Sequence, residues 1–149
     1  MYSYLRTDST NEDFVKMVKL LDEELAEIDG DDHDFYAQYN KIDAIKNALV
    51  LYENKTPIGC GAFKPFDAER VEIKRMYVVQ SARNRGLATQ ILLNLENWAK
   101  ELQYKFAVLE TGKRQPDAIR LYEKNGYSII TNFGQYAGVE NSVCFEKML

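Results

Sequence analysis

The segment Gln80-Ser81-Ala82-Arg83-Asn84-Arg85-Gly86-Leu87-Ala88-Thr89 lies between an apolar run ending at Val79 and the strongest helical pattern in the chain. A helix N-terminus leaves its first amides unpaired and positive, so an anion can settle there if the backbone comes close. Gly86 and Ala88 permit that approach, Arg83 and Arg85 offer charge-assisted contacts, and Thr89 adds a hydroxyl. The segment predicts a phosphate or pyrophosphate site. Taken alone it fits a plain helix start with solvated arginines equally well. It is neither a G-x-x-x-x-G-K-[ST] loop nor a three-glycine dinucleotide turn after a first strand, which demotes ATP and NAD.

Downstream, Leu87, Ile91, Leu95, Trp98 and Leu102 form one stripe of a helix over Gly86 to Leu102, with Glu96 expected to pair with Lys100 one turn on. Tyr104 to Glu110 reads as a strand. A helix follows over Gln115 to Asn125, with Pro116 in its first turn and Asn125-Gly126 at its end. Tyr127 to Thr131 and Ser142 to Met148 are the last strands. Upstream, the runs Ala48 to Tyr52, Ile58 to Phe63 and Val71 to Val79 are broken by Asn54-Lys55-Thr56-Pro57 and Pro65-Phe66-Asp67, which predicts three consecutive antiparallel strands. Tyr2 to Arg6 is a first strand. Ser9-x-x-Glu12 fits a capping box before a helix carrying Phe14, Val18, Leu21, Leu25 and Ile28, with Gly30 at its end. Asp31 to Asn47, with Phe35, Tyr36, Tyr39 and Ile42, is expected to hold a second short helix.

The order β-α-α-β-β-β-α-β-α-β-β contains no linker or repeat, so residues 1–149 read as a single α+β domain. The strand, Gly86 helix, strand connection should cross over to a parallel or splayed neighbour, leaving a crevice there. With 149 residues, 46% apolar and 28% charged, the chain has the composition of an ordinary globular protein. A net charge of -4 argues against nucleic acid as a partner. Cys60 and Cys144 are too few for a disulfide framework or a metal site and read as reduced, buried thiols. Neither a secretion signal nor an apolar membrane span is evident, so the expected location is the cytoplasm, with no membrane partner.

Three motifs in order carry a resemblance. Arg83-Asn84-Arg85-Gly86-Leu87-Ala88 is similar to the R/Q-x-x-G-x-G/A acyl-CoA signature of the Gcn5-related N-acetyltransferase (GNAT) family. Val71 to Val78 resembles that family's fourth strand, and Ala118-Ile119-Arg120-Leu121-Tyr122-Glu123-Lys124-Asn125-Gly126-Tyr127 resembles its A-I-x-L-Y-E-K-x-G-F/Y segment. The resemblance implies a mixed, mostly antiparallel sheet of about seven strands, splayed at the fourth and fifth, with helices on both faces.

It further implies acetyl-CoA as acyl donor, no metal, and an amine on a small molecule or peptide as acceptor. Backbone groups of Met76, Tyr77 and Val78 would hold the pantetheine arm, and the amides from Arg85 to Thr89 the pyrophosphate. Gln115 stands where many relatives carry an asparagine that contacts the pantetheine. Glu72 matches a general-base position of some relatives, and period-two alternation places it on the face of Met76 and Val78. Beside Lys74 it also reads as a salt-bridged glutamate. Tyr122 matches the tyrosine that protonates the departing thiolate. The acceptor would meet His33 and Tyr36 in the first acidic, aromatic segment and Tyr136 in the last loop, groups that suit a cationic amine. An exposed last strand could pair two chains as a homodimer.

Overall fold

The computed structural model describes residues 1–30 and 44–149. Seven strands form one sheet in the order β1-β2-β3-β4-β5-β7-β6: β1 (Tyr2–Thr7), β2 (Asn47–Glu53), β3 (Thr56–Pro65), β4 (Arg70–Val78), β5 (Phe106–Gly112), β6 (Ser128–Ile130) and β7 (Ser142–Met148). All neighbours are antiparallel except β4 and β5, which are parallel. The helices are α1 (Glu12–Asp29), α2 (Leu87–Glu101) and α3 (Pro116–Lys124). The expected second helix falls outside the described residues except at its end, where Asn47 instead opens β2.

The helices cover both faces. On one, Phe14, Met17 and Val18 of α1 pack on Ala48, Val50, Cys60 and Ala62. On the other, Leu87, Ile91, Leu92 and Leu95 of α2, with Tyr122 of α3, pack on Leu49, Leu51, Phe63, Val71, Ile73 and Leu109. Burying such side chains contributes about 1.5–3 kcal/mol each, which locks the helices to the sheet.

Two local expectations are corrected. The cap of α1 is Asn11, whose Oδ1 accepts from the Phe14 amide at 3.0 Å. Ser9 is drawn away because its Oγ accepts from the Ile45 amide, also at 3.0 Å. Glu96 does not serve Lys100. The buried stripe of α2 runs through Leu92, Glu96 and Ala99, and Glu96 accepts from the Tyr127 hydroxyl and from Lys147 Nζ, both at 2.8 Å. Leu102 lies beyond the helix and is exposed.

The decisive irregularity is in β4. Cys60 pairs with Tyr77 but Ala62 pairs with Lys74, so Gly61 faces two residues, Arg75 and Met76. Arg75 adopts φ 60°, and the Cys60 thiol donates to its carbonyl at 3.1 Å. Such a bulge resets the alternation of the strand. Before it, Val71 and Ile73 face α2; after it, Met76 and Val78 do, while Tyr77 joins the α1 face. Glu72 is therefore on the face opposite Met76 and Val78, contrary to the simple period-two reading.

Candidate active site

The β4–β5 ladder is short. Arg70, Val71 and Glu72 pair with Phe106, Ala107 and Val108, and there the pairing stops. From Ile73 to Val78 the edge of β4 that faces β5 carries no strand partner, and from Leu109 to Gly112 the facing edge of β5 carries none either. Two open edges diverging from one apex form a cleft whose walls are unpaired backbone donors and acceptors. An extended ligand with amide groups can satisfy such groups as an added strand would. Met76, Tyr77 and Val78, which the family resemblance implies as the pantetheine contacts, lie on this edge.

At the mouth of the cleft α2 begins. Gly86 is its N-cap with φ 74°, a left-handed conformation that glycine adopts at no steric cost, and no side chain caps the helix. The amides of Leu87, Ala88 and Thr89 have no carbonyl one turn back and stay available to an anion. Val78, Ala82, Arg83, Asn84, Gly86 and Leu87 line the hollow in front of them. Both arginines are otherwise engaged here. Arg83 donates to the Val78 carbonyl at 2.9 Å and to Glu24 at 2.7 Å, and Arg85 lies 3.2 Å from Glu53. Thr89 Oγ1 accepts from Asn125 at 3.3 Å, tying α2 to α3. The cradle is thus built of main chain, and it fits a pyrophosphate through helix amides rather than through the guanidinium groups.

Beyond the apex, where the parted strands connect the α1 and α2 sides of the sheet, is a cavity of about 120 Å³ that gathers polar groups from five elements. Asp29 comes from α1, Glu72 and Lys74 from β4, Glu110 from β5, Tyr122 from α3 and Tyr136 from the loop before β7. Glu72 and Lys74 are buried side chains 3.8 Å apart. Burial lowers the pKa of Lys74, and Glu72 opposes that fall. Arg75, with a side chain only 2% exposed, reaches Asp22 at 3.7 Å and anchors the bulge to α1.

Tyr122 is held by an edge contact with Tyr127 and a tilted contact with Phe145, at centroid separations of 5.7 and 5.9 Å. Burial raises its pKa, and the nearby Glu110 charge adds to the rise, so the phenol stays protonated. Gln115 is the residue before α3 and lines the cavity. Tyr136, also raised by burial, closes one wall. His33 and Tyr36 lie outside the described residues.

Glu110 is the site residue that pattern reading missed. Its signal is a carboxylate directly after the apolar run Phe106-Ala107-Val108-Leu109, on a strand whose residues on either side of it are buried. Burial pushes its pKa up to about 7. The Ser142 hydroxyl and Lys74 act against that rise, and Asp29 and Glu72 add to it. Among the described residues its Oε2 is sealed from solvent without a hydrogen-bond partner.

Known proteins share this fold. Residues 14–127 match the model of the acetyltransferase (GNAT) family. The IAA acetyltransferase of Azospirillum brasilense is 35% identical over 68% of this chain and 67% of its own length. The uncharacterized N-acetyltransferase YsnE of Bacillus subtilis is 34% identical over 66% of each. The chain thus spans about two thirds of the length of these relatives. A protein assigned as an acyl-CoA N-acyltransferase from Klebsiella pneumoniae superposes with a TM-score of 0.84 at 28% identity, covering 100% of this chain and 98% of that one. A GNAT acetyltransferase from Elizabethkingia anophelis, solved with acetyl-CoA bound, gives a TM-score of 0.61 at 27% identity over 69% of this chain and 76% of its own. With the parallel strand pair that splits, the uncapped helix at its mouth and this match over most of its length, the chain belongs to the GNAT family of acetyltransferases.

Proposed function

We propose that the protein transfers the acetyl group of acetyl-CoA to a primary amine of a small molecule or peptide, by direct attack while both substrates are bound. The observation that carries this reading is the end of β4–β5 pairing at Glu72 and Val108, which opens an extended cleft directly onto a cavity of titratable side chains. A protein that merely held an acyl-CoA would need the cleft and the helix amides. It would not need Glu72, Glu110, Lys74 and Tyr122 gathered behind them.

In this reading the open edge at Met76, Tyr77 and Val78 receives the pantetheine arm, and Gln115 lies within the same cavity wall as a further amide partner. The amides of α2 receive the pyrophosphate, so the donor is clamped at both ends and its thioester is presented at the apex. Holding two reactants in position is itself worth on the order of 7–11 kcal/mol of the barrier. A backbone N–H near the bulge polarises the thioester carbonyl as negative charge grows on its oxygen. The Tyr122 hydroxyl donates to the departing sulfur. An excess of acidic groups in the cavity attracts the acceptor in its ammonium form, and a cleft carboxylate removes a proton before attack. The reaction consumes one thioester and one amine and releases one amide and one thiol.

Thiol release from acetyl-CoA, followed across a panel of primary amines, tests this. Amine-dependent release is the expected result. Thermal stabilisation by CoA, about 2.7 kcal/mol at 100 times its Kd, with no amine-dependent release would replace the enzyme with an acyl-CoA sensor. No stabilisation by CoA at all would leave an interaction domain.

A further inference from the structure

We infer that the carboxylate taking the proton of the acceptor amine is Glu110, with Glu72 and Lys74 forming the ion pair beside it. This rests on the proposed acetyl transfer and goes beyond the sequence motifs, which single out Glu72. Position is the first ground. Val108 is opposite Glu72 in the last pair of the parallel ladder. One strand repeat further out on the same face, Glu110 and Lys74 stand on the two walls of the opened cleft, and both line the cavity. Glu72 sits at the apex, where its backbone is paired on both sides, with Lys64 and with Val108. Glu110 sits where the strands have parted and an acceptor can enter.

Commitment is the second ground. The Glu72 carboxylate has the Lys74 ammonium 3.8 Å away in a buried setting. Glu110 has the Ser142 hydroxyl on one side, and among the described residues its Oε2 has no partner. A buried acceptor oxygen left unpaired is costly and concentrates at functional sites, where a substrate donor completes it. The groups facing Glu110 are Asp29 from α1, Glu72 and Lys74 from β4, Ser142 and Cys144 from β7, Tyr122 from α3 and Tyr136 from the loop. Burial holds its pKa at about 7, close to the pH at which a base is most effective in neutral solution.

The step balances as follows. Glu110 first takes one proton from the acceptor ammonium and passes it to solvent; the freed nitrogen lone pair then forms the bond to the thioester carbonyl carbon, and the C–S bond breaks with its electron pair on sulfur. A second nitrogen proton passes to the Glu110 carboxylate, while sulfur gains a proton through the Tyr122 hydroxyl. Solvent then takes the proton from Glu110 and restores that of Tyr122.

The test uses the full chain with hydroxylamine as acceptor, a nucleophile small enough to reach any amine site, alongside the amine panel, with thiol release as readout. The Glu110→Gln variant is expected to lose about 100-fold or more in kcat/KM for the acceptor while binding CoA as the wild type does. Its pH profile should lack the inflection near 7. Glu110→Asp, which keeps a carboxylate, should retain that inflection at reduced rate, and Glu72→Gln should retain it as well. An inflection that survives in Glu110→Gln and disappears in Glu72→Gln overturns the assignment. A carbon-13 NMR titration of the glutamate carboxyls, assigned with the same variants, separates this failure from failure of the acetyl-transfer reading. A Glu110 carboxyl that titrates below pH 5 sinks the proposal even if the wild type turns over. A carboxyl that titrates near 7 in a chain that binds CoA but releases no thiol with any amine rejects the transferase, and the proton-transfer role with it.

Discussion

Glu72 and Met76, four residues apart on one strand, project to opposite faces of the sheet, because the bulge at Arg75 and Met76 intervenes. The bulge lets β4 supply a carboxylate to the acceptor side and an apolar wall to the α2 side within one short stretch. Its geometry depends on Gly61. A Cβ at that position would lie 2.8 Å from Leu95 Cδ1 and 2.9 Å from both Ile91 Cγ2 and Met76 Sδ. Gly61→Ala is therefore expected to destabilise the fold by about 1–3 kcal/mol, the usual range for overpacking a core. Urea unfolding measures this directly, and an unchanged midpoint would show that the α2 side chains yield without cost.

Tyr122→Phe separates catalysis from packing at one position. The ring contacts with Tyr127 and Phe145 survive the change, and the lost hydroxyl has no hydrogen-bond partner among the described residues, so the melting temperature should hold. Turnover should fall by about 10²–10⁴-fold, the usual worth of a positioned proton donor. Steady-state kinetics and CoA titration together check it. Unchanged turnover removes Tyr122 from the mechanism.

Much of this was legible in the chain itself, and the failures have physical causes. Gly86 announced the helix start, and it stands there as the N-cap of α2 with φ 74°. The order of strands and the crossover through α2 followed from hydrophobic period and turn residues, and both are in the sheet. The bulge was not legible. Arg75 carries a side chain yet adopts a positive φ, and what holds it there is pairing across to β3 and the ion pair to Asp22, which no local pattern encodes. Alternation counted through Arg75 therefore put Glu72 on the wrong face. Glu96 was misread for a related reason. Its spacing to Lys100 suited a surface pair, but the rotation of α2 against the sheet turned it inward to Tyr127 and Lys147. Glu110 left a visible mark, an acid within a run of buried strand residues, and only the parting of β4 from β5 shows what that acid faces.

The anion cradle can be tested by setting helix stability against ligand binding. Ala88 lies in the first turn of α2, lines the cradle and is half-buried. An acid in the first turn complements the helix dipole by about 0.3–1 kcal/mol, so Ala88→Asp should leave the melting temperature equal or slightly raised. The same charge opposes a pyrophosphate, and CoA affinity is expected to fall by about 10-fold or more, since 1.4 kcal/mol of repulsion suffices for that. Calorimetric titration with CoA, and with dephosphorylated pantetheine as control, reads the difference. Equal loss of both ligands would place the pyrophosphate elsewhere.

Glu110 also links the site to stability. Its carboxyl ordinarily titrates at 4.5 and in the folded chain at about 7, with burial as the main cause. Between those values the folded state binds more protons than the unfolded state, so stability falls as pH rises through that window and remains lowered above it. A shift of this size corresponds to on the order of 3 kcal/mol. Glu110→Gln has no such ionisation, so its advantage over the wild type should be absent at pH 4.5 and should grow to roughly that magnitude by pH 8. Urea unfolding of both proteins at the two pH values checks the sign as well as the size. A variant that gains stability above neutrality while losing acetyl transfer would show that the unpaired carboxylate is retained at the expense of stability. A variant equally stable relative to wild type at both pH values would mean that Glu110 titrates normally, and the pH inflection expected of the enzyme would have to come from another group.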